Sequence, residues 1–237
     1  EYQYFSMAVI GSFILAAVSW AVIVFFDSEL LTFFGAEGNL LPLAKAYMIP
    51  IKFVLPCFLF TQMLAAFLRN DNNPTLATLG TLSGGVFNIF GDYIFVFVFD
   101  MGIFGAGLAT AIGAVISLVV MLAHFFSKKN SLVFVRPENF FSKFGRITVT
   151  GFSTFFIDIA MGILTILFNR QIMKYLGTNA LSVYGIIVNI STFVQCCAYS
   201  VGQAAQPILS VNYGAKAGQR IRKTLRYALY SAGFFSI

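Results

Sequence analysis

Charge is what this chain has least of. Charged residues fill 10% of its 237 positions, against about 25% in a soluble domain. Hydrophobic residues fill 59%, and the mean hydropathy is +0.85. One soluble core does not account for so much apolar sequence. Cysteine is also scarce: Cys57, Cys196 and Cys197 all fall inside apolar runs. Their spacing matches neither a zinc site nor a disulfide frame, so they read as small buried hydrophobes. No paired acidic motif exists to hold magnesium, which argues against a membrane enzyme such as a prenyl transferase. No filter sequence or charged ring suggests an ion channel. Short alternating segments, the mark of a membrane barrel, are missing too. Neither an enzyme nor a bound cofactor is expected.

Present instead are apolar runs about 20 residues long, the length of helix that crosses a bilayer. The predicted fold class is all-α, a polytopic transmembrane helical bundle. Spans are predicted at about 4–26, 43–68, 75–99, 103–126, 147–176 and 181–211, with a seventh beginning near Leu225. Trp20 anchors the far end of the first span at an interface. The second span contains Pro50 and Pro56, which predict a bend or local unwinding. Between them, Lys52 either snorkels to the near interface or lines a cavity. Arg69-Asn70-Asp71-Asn72-Asn73-Pro74 and Asp100-Met101-Gly102 read as turns. Gly105, Ala109, Gly113 and Ser117 recur at four-residue spacing, which lets helix backbones approach closely in lipid. Glu138–Phe144 reads as a short interfacial helix. Glu1 leads almost directly into a span and Ile237 ends inside another, so a piece of a longer protein is expected.

The formal charge of +6 does not point to nucleic acid, because the basic residues cluster in loops between spans. Lys128, Lys129, Arg136, Lys143 and Arg146 fall in one such loop, and Lys216, Arg220, Arg222, Lys223 and Arg226 in another. By the positive-inside rule these loops, and the turn at Arg69, face the cytoplasm. The acidic loops Asp27–Asn39 and Asp100–Gly102 face outward, with Arg170 and Lys174 as minor exceptions to the alternation.

Polar residues inside the spans are the functional candidates. Asp92 is a carboxylate in the middle of the apolar run Leu79–Phe99. At bilayer depth a carboxylate is costly and is rarely kept for packing alone. Asn88, four residues earlier, lies on the same helix face. Counting from the reversal at 100–102, Thr110 returns to a similar depth at about 1.5 Å per residue. Asn88, Asp92 and Thr110 can therefore converge. Their oxygens suit a sodium ion, or the carboxylate can exchange a proton; a plain hydrogen-bonded joint between helices is the alternative. A second stripe carries Asp158, again acidic but in the cytoplasmic half of its span. Asn189, Gln203 and Gln206 share a broad polar face that wants a cavity rather than lipid. The lone His124 closes a span at its cytoplasmic end and reads as interfacial rather than as a proton relay.

Four segments carry a family likeness: Ala66–Pro74, Asn88-Ile89-Phe90-Gly91-Asp92-Tyr93, Gly102–Thr110, and Gln206-Pro207-Ile208-Leu209-Ser210-Val211-Asn212-Tyr213-Gly214-Ala215. With them the chain resembles the multidrug and toxic compound extrusion (MATE) family. The resemblance implies twelve helices in two six-helix lobes, of which this chain would supply helices three to eight and part of nine. Residues 1–127 would belong to the amino-terminal lobe, 128–146 to the cytoplasmic connection, and 147–237 to the carboxy-terminal lobe. It implies a multi-pass protein of the cell membrane that acts as an antiporter, exporting amphipathic or cationic compounds, antibiotics among them, against H⁺ or Na⁺. It assigns coupling-ion binding to Asn88, Asp92 and Thr110, and a second acidic or substrate role to Asp158. No fixed metal, no nucleic acid and a monomeric intact protein are expected; the partners are the lipid bilayer and small molecules. The rival within the superfamily is a flippase of lipid-linked precursors, whose cavity should be strongly cationic.

Overall fold

The computed structural model describes residues 2–36, 38, 40–136 and 138–235. Glu37 and Asn39, part of the acidic loop expected near the amino terminus, lie outside the described residues. The described chain is helical, with no strand. Its elements are α1 (Tyr2–Phe25), α2 (Asp27–Phe33), α3 (Leu40–Asn70), α4 (Pro74–Tyr93), α5 (Gly102–Leu122), α6 (Phe140–Gly214) and α7 (Gly218–Phe235). A π turn (Ile94–Val98) extends α4, and a 3₁₀ turn (Ala123–Phe126) extends α5. Among the described residues, six stretches are long and apolar enough to cross a membrane, in agreement with the six complete spans read from the sequence. The chain forms two compact units, Glu1–Ile163 and Leu164–Ile237.

In the first unit α5 is the hub, packed against both α3 and α4, while α1 packs on α3. In lipid, helices gain nothing from hiding apolar surface, so close backbone approach must hold them together. The α4–α5 seam is built that way. A Cβ on Gly80 would sit 2.6 Å from Met121 Cγ, one on Gly113 2.7 Å from Gly84 O, and one on Gly91 3.0 Å from Ala109 Cβ. At Gly84 an added Cβ would strike Ser117 Oγ and the Gly113 carbonyl. These pairings fix one antiparallel register along the whole seam, and that register sets which polar groups meet.

Of the bend or local unwinding expected at the prolines of the second span, the unwinding does not form: one helix, α3, runs Leu40–Asn70 through both Pro50 and Pro56. Pro50 is buried, and a Cβ on Gly107 would come within 2.9 Å of its ring. The ring is thus packed against α5, so this stretch of backbone faces protein rather than lipid. Lys52 has a partner that residue order did not name: its Nζ lies 2.5 Å from Asp27 Oδ2 on α2.

The turn at 100–102 forms as expected, with Asp100 and Gly102 both at positive φ (52° and 56°). Glu138–Phe144 is not a separate interfacial helix. Phe140 opens α6 and the helix runs on without a break, Phe140 and Phe144 stacking at 5.8 Å across its first turn. Further along, Gly177 (φ 77°, ψ −173°) separates the membrane-length stretches Thr154–Gly177 and Asn179–Gly214. That conformation is essentially restricted to glycine. The last helix starts at Gly218 rather than near Leu225, because its basic residues are good helix formers and wind into the helix instead of forming a loop.

Candidate functional site

The seam register places Asn88 opposite Thr110. Asn88 Nδ2 donates to Thr110 Oγ1 at 3.1 Å, and that hydroxyl in turn donates to the Ala106 carbonyl at 3.0 Å. A residue that the sequence reading did not select joins them: Tyr47 Oη, from α3, lies 3.3 Å from Thr110 Oγ1. Three helices therefore meet at one threonine. Tyr47 was hidden among 10 tyrosines and 29 phenylalanines. Its only sequence signal is its place one turn before Pro50, the proline against which glycine-bearing α5 packs.

Asp92 follows one turn beyond Asn88. Its Oδ1 is buried and has no hydrogen-bond partner. Among the described residues, the only other buried side-chain oxygen in that condition is Thr61 Oγ1. A buried polar atom without a partner is costly, and for a carboxylate the cost is greater still. The helix also changes form there, since the π turn Ile94–Val98 begins two residues later; such turns often sit at functional sites. The donor set fits a small hard cation, with a carboxylate oxygen free and, one turn back, an amide in contact with a hydroxyl that a phenol also meets. A proton on Asp92 would meet the same need.

Of the remaining candidates, Asp158 lies in the first unit and is exposed, while Asn189, Gln203 and Gln206 lie in the second unit and are exposed too. An apolar pocket of about 480 Å³ lies elsewhere in the first unit, lined by Phe5, Phe60, Met63, Leu122, Phe125 and Leu132 among others. It offers nothing to hold a cation.

The opposite end of α4 holds a second polar cluster. His124, at the end of its span, is fully buried against protein, and Asp71 is 7% exposed. Asn73 Oδ1 accepts the Leu76 N–H at 3.4 Å and caps α4. The Asn73 amide nitrogen then faces His124 Nδ1 at 3.0 Å. That assignment leaves His124 Nε2–H to donate to Asp71 Oδ2 at 2.6 Å. Ser131 adds both its N–H, 3.0 Å from Asp71 Oδ2, and its hydroxyl, on Oδ1. Burial alone would raise the Asp71 carboxyl, but the hydrogen bonds from Ser131 and His124 outweigh it and hold the group below its ordinary value. Val135 N–H donates to Ser6 Oγ at 2.8 Å, so the segment after α5 is fastened to the first unit at two places. At the other side of the unit, the hydrogen bond from Lys52 holds the Asp27 carboxyl below its usual range.

The MatE family profile matches residues 2–94 and 154–237. The multidrug export protein MepA of Staphylococcus saprophyticus is 27% identical over 212 residues, covering 88% of this chain and 46% of that protein. MepA of Staphylococcus aureus is 24% identical over 232 residues, covering 96% and 51%. Among solved structures, the MATE multidrug transporter DinF-BH superposes with a TM-score of 0.87 at 25% identity, over 99% of this chain and 53% of that one. An inward-facing multidrug resistance MATE family transporter of the MOP superfamily gives 0.71 at 20% identity, over 95% and 52%. The chain spans about half the length of the relatives it matches.

Proposed function

This chain belongs to the MatE family, and on that premise we propose that it is part of a cation-coupled antiporter that exports amphipathic or cationic organic compounds. Asn88, Asp92 and Thr110 bind the coupling ion, Na⁺ or H⁺, with the Tyr47 hydroxyl completing the cluster. The observation that carries this reading is the buried, partnerless Asp92 Oδ1, one turn from an amide already turned onto Thr110. An ion or proton arriving there satisfies an oxygen that the protein itself leaves bare.

Coupling follows from energetics rather than from a wire. Loading Asp92 removes the cost of its bare oxygen, so the loaded and empty forms prefer different packings of α3, α4 and α5. A gradient drives export only if cation and substrate favour different states, and alternating access of the site to the two sides then completes the cycle. The flippase reading needs a strongly cationic cavity; the buried, partnerless carboxylate oxygen of Asp92 supports a cationic partner instead. Asp158, Asn189, Gln203 and Gln206 are the candidates for substrate contact.

The test is Asp92→Asn in the intact transporter, reconstituted in liposomes with pH and sodium gradients imposed separately. Gradient-driven efflux should fall on the order of tenfold or more. Undiminished efflux at normal expression would sink the coupling role. Transport of a lipid-linked pyrophosphate, with no efflux of organic cations, would favour the flippase.

A further inference from the structure

The two units differ sharply in charge. Residues 164–237 carry Arg170, Lys174, Lys216, Arg220, Arg222, Lys223 and Arg226 and no Asp or Glu at all. All nine acidic residues of the chain lie at or before Asp158. Five of the seven basic groups fall within 216–226, at the tight turn (Lys216, φ 53°) and on the first turns of α7. Arg220, Arg222, Lys223 and Arg226 are all exposed. Arg222 and Arg226 stand four apart on one face, and like charges at that spacing repel. The cluster therefore needs an anion that this unit does not supply.

Its depth indicates which anion. The membrane-length stretch Asn179–Gly214 ends two residues before Lys216, so the cluster starts where a span leaves hydrocarbon. By the positive-inside rule that is the cytoplasmic side. Further along α7, Tyr227, Leu229, Tyr230 and Phe234 are exposed, the aromatic and aliphatic groups that settle at the headgroup and acyl boundary. Lys223 Nζ lies 5.8 Å from the Tyr227 ring, linking the charged turn to the aromatic one. Arginine fits phosphate oxygens with paired N–H donors.

We propose that Arg220, Arg222, Lys223 and Arg226 form a binding surface for the phosphate headgroups of anionic phospholipids in the cytoplasmic leaflet, with Tyr227 and Tyr230 set against the acyl boundary. Runs of several Lys and Arg next to a span are attracted to anionic leaflets in this way. The surface seats the start of α7 on the bilayer. It is independent of the coupling site in the first unit.

The experiment is lipid retention by the intact transporter, taken from mixed micelles of phosphatidylglycerol and phosphatidylcholine and read by native mass spectrometry. The parent should retain phosphatidylglycerol preferentially, and added salt should weaken the preference. Replacing Arg220, Arg222, Lys223 and Arg226 together by Gln should lower affinity on the order of tenfold or more. Replacing the three arginines by Lys should keep most of it, and Lys128→Gln with Lys129→Gln should leave it intact. Equal retention by the quadruple Gln variant and the parent would overturn the proposal. So would displacement of the lipid by inorganic phosphate at matched ionic strength, which marks a free-phosphate site, or preferential capture of an oligonucleotide. If the quadruple variant does not fold, the Lys series and the salt dependence decide: no effect of salt on the parent overturns the proposal equally.

Discussion

The two ends of α4 each hold a buried aspartate group, and they are opposites. Near Asp71 every oxygen is claimed: His124 and Ser131 hold Oδ2, and the Ser131 hydroxyl holds Oδ1. Near Asp92, Oδ1 is buried and claimed by nothing. Burial alone therefore does not separate a structural carboxylate from one that exchanges a cation. Whether the protein itself satisfies the oxygens does. A satisfied buried carboxylate fastens elements, here the α3–α4 turn, the end of α5 and the segment after it. A bare one is what the proposed cation exchange at Asp92 requires.

That contrast is easily broken by mutation. The largest effect should come from Asp71→Ala, which strands His124 and frees Ser131; a loss of about 1–3 kcal/mol is expected, read by thermal unfolding of the intact protein. Asp92→Asn should do the reverse, keeping the unfolding temperature while gradient-driven efflux falls on the order of tenfold. If both substitutions unfold the protein alike, the two aspartates are the same kind of group and the comparison fails.

Acid sharpens the contrast. The Asp71 carboxyl is held below its ordinary value when folded. Its contribution is therefore full above the unfolded value of about 3.9 and is lost as pH falls through the lower folded value. The stability gap between parent and Asp71→Asn should be widest near neutrality and shrink only in strong acid. A gap that stays constant to low pH would show that the carboxylate charge is not what the cluster uses.

Smaller effects test the supporting residues. Asn73→Ala removes the cap of α4 and the His124 contact, for about 1 kcal/mol. Tyr47→Phe deletes one hydroxyl beside Thr110, for about 0.5–1.5 kcal/mol. Its sharper readout is the cation concentration that half-saturates transport, which should shift while the maximal rate changes less. No shift would remove Tyr47 from the coupling site.

The six spans, the all-helical class and the family could be read from residue order, as could Asn88 and Thr110 at matching depth. Each of these depends on short-range pattern: hydropathy over about 20 residues, small or polar groups one turn apart, and charge at loop ends. The Asp71–His124 pair could not be read in the same way, because its members lie 53 positions apart in what looked like a turn and an interfacial end. Nor could the Tyr47–Thr110 contact, across 63 positions. The unbroken course of α3 was hidden as well, since the packing of Pro50 against a neighbouring helix has no local signature.

The amino-acid order by itself determined that Asp92 would be an expensive carboxylate at bilayer depth, with Asn88 beside it, because those facts are set by composition and helical pitch. Only the packed helices decided that Asp71 would be satisfied and Asp92 left bare. The reason is the α4–α5 register, set where Gly84 and Gly113 let two backbones nearly touch: contact between distant residues depends on how helices slide past one another, and that has no local signature.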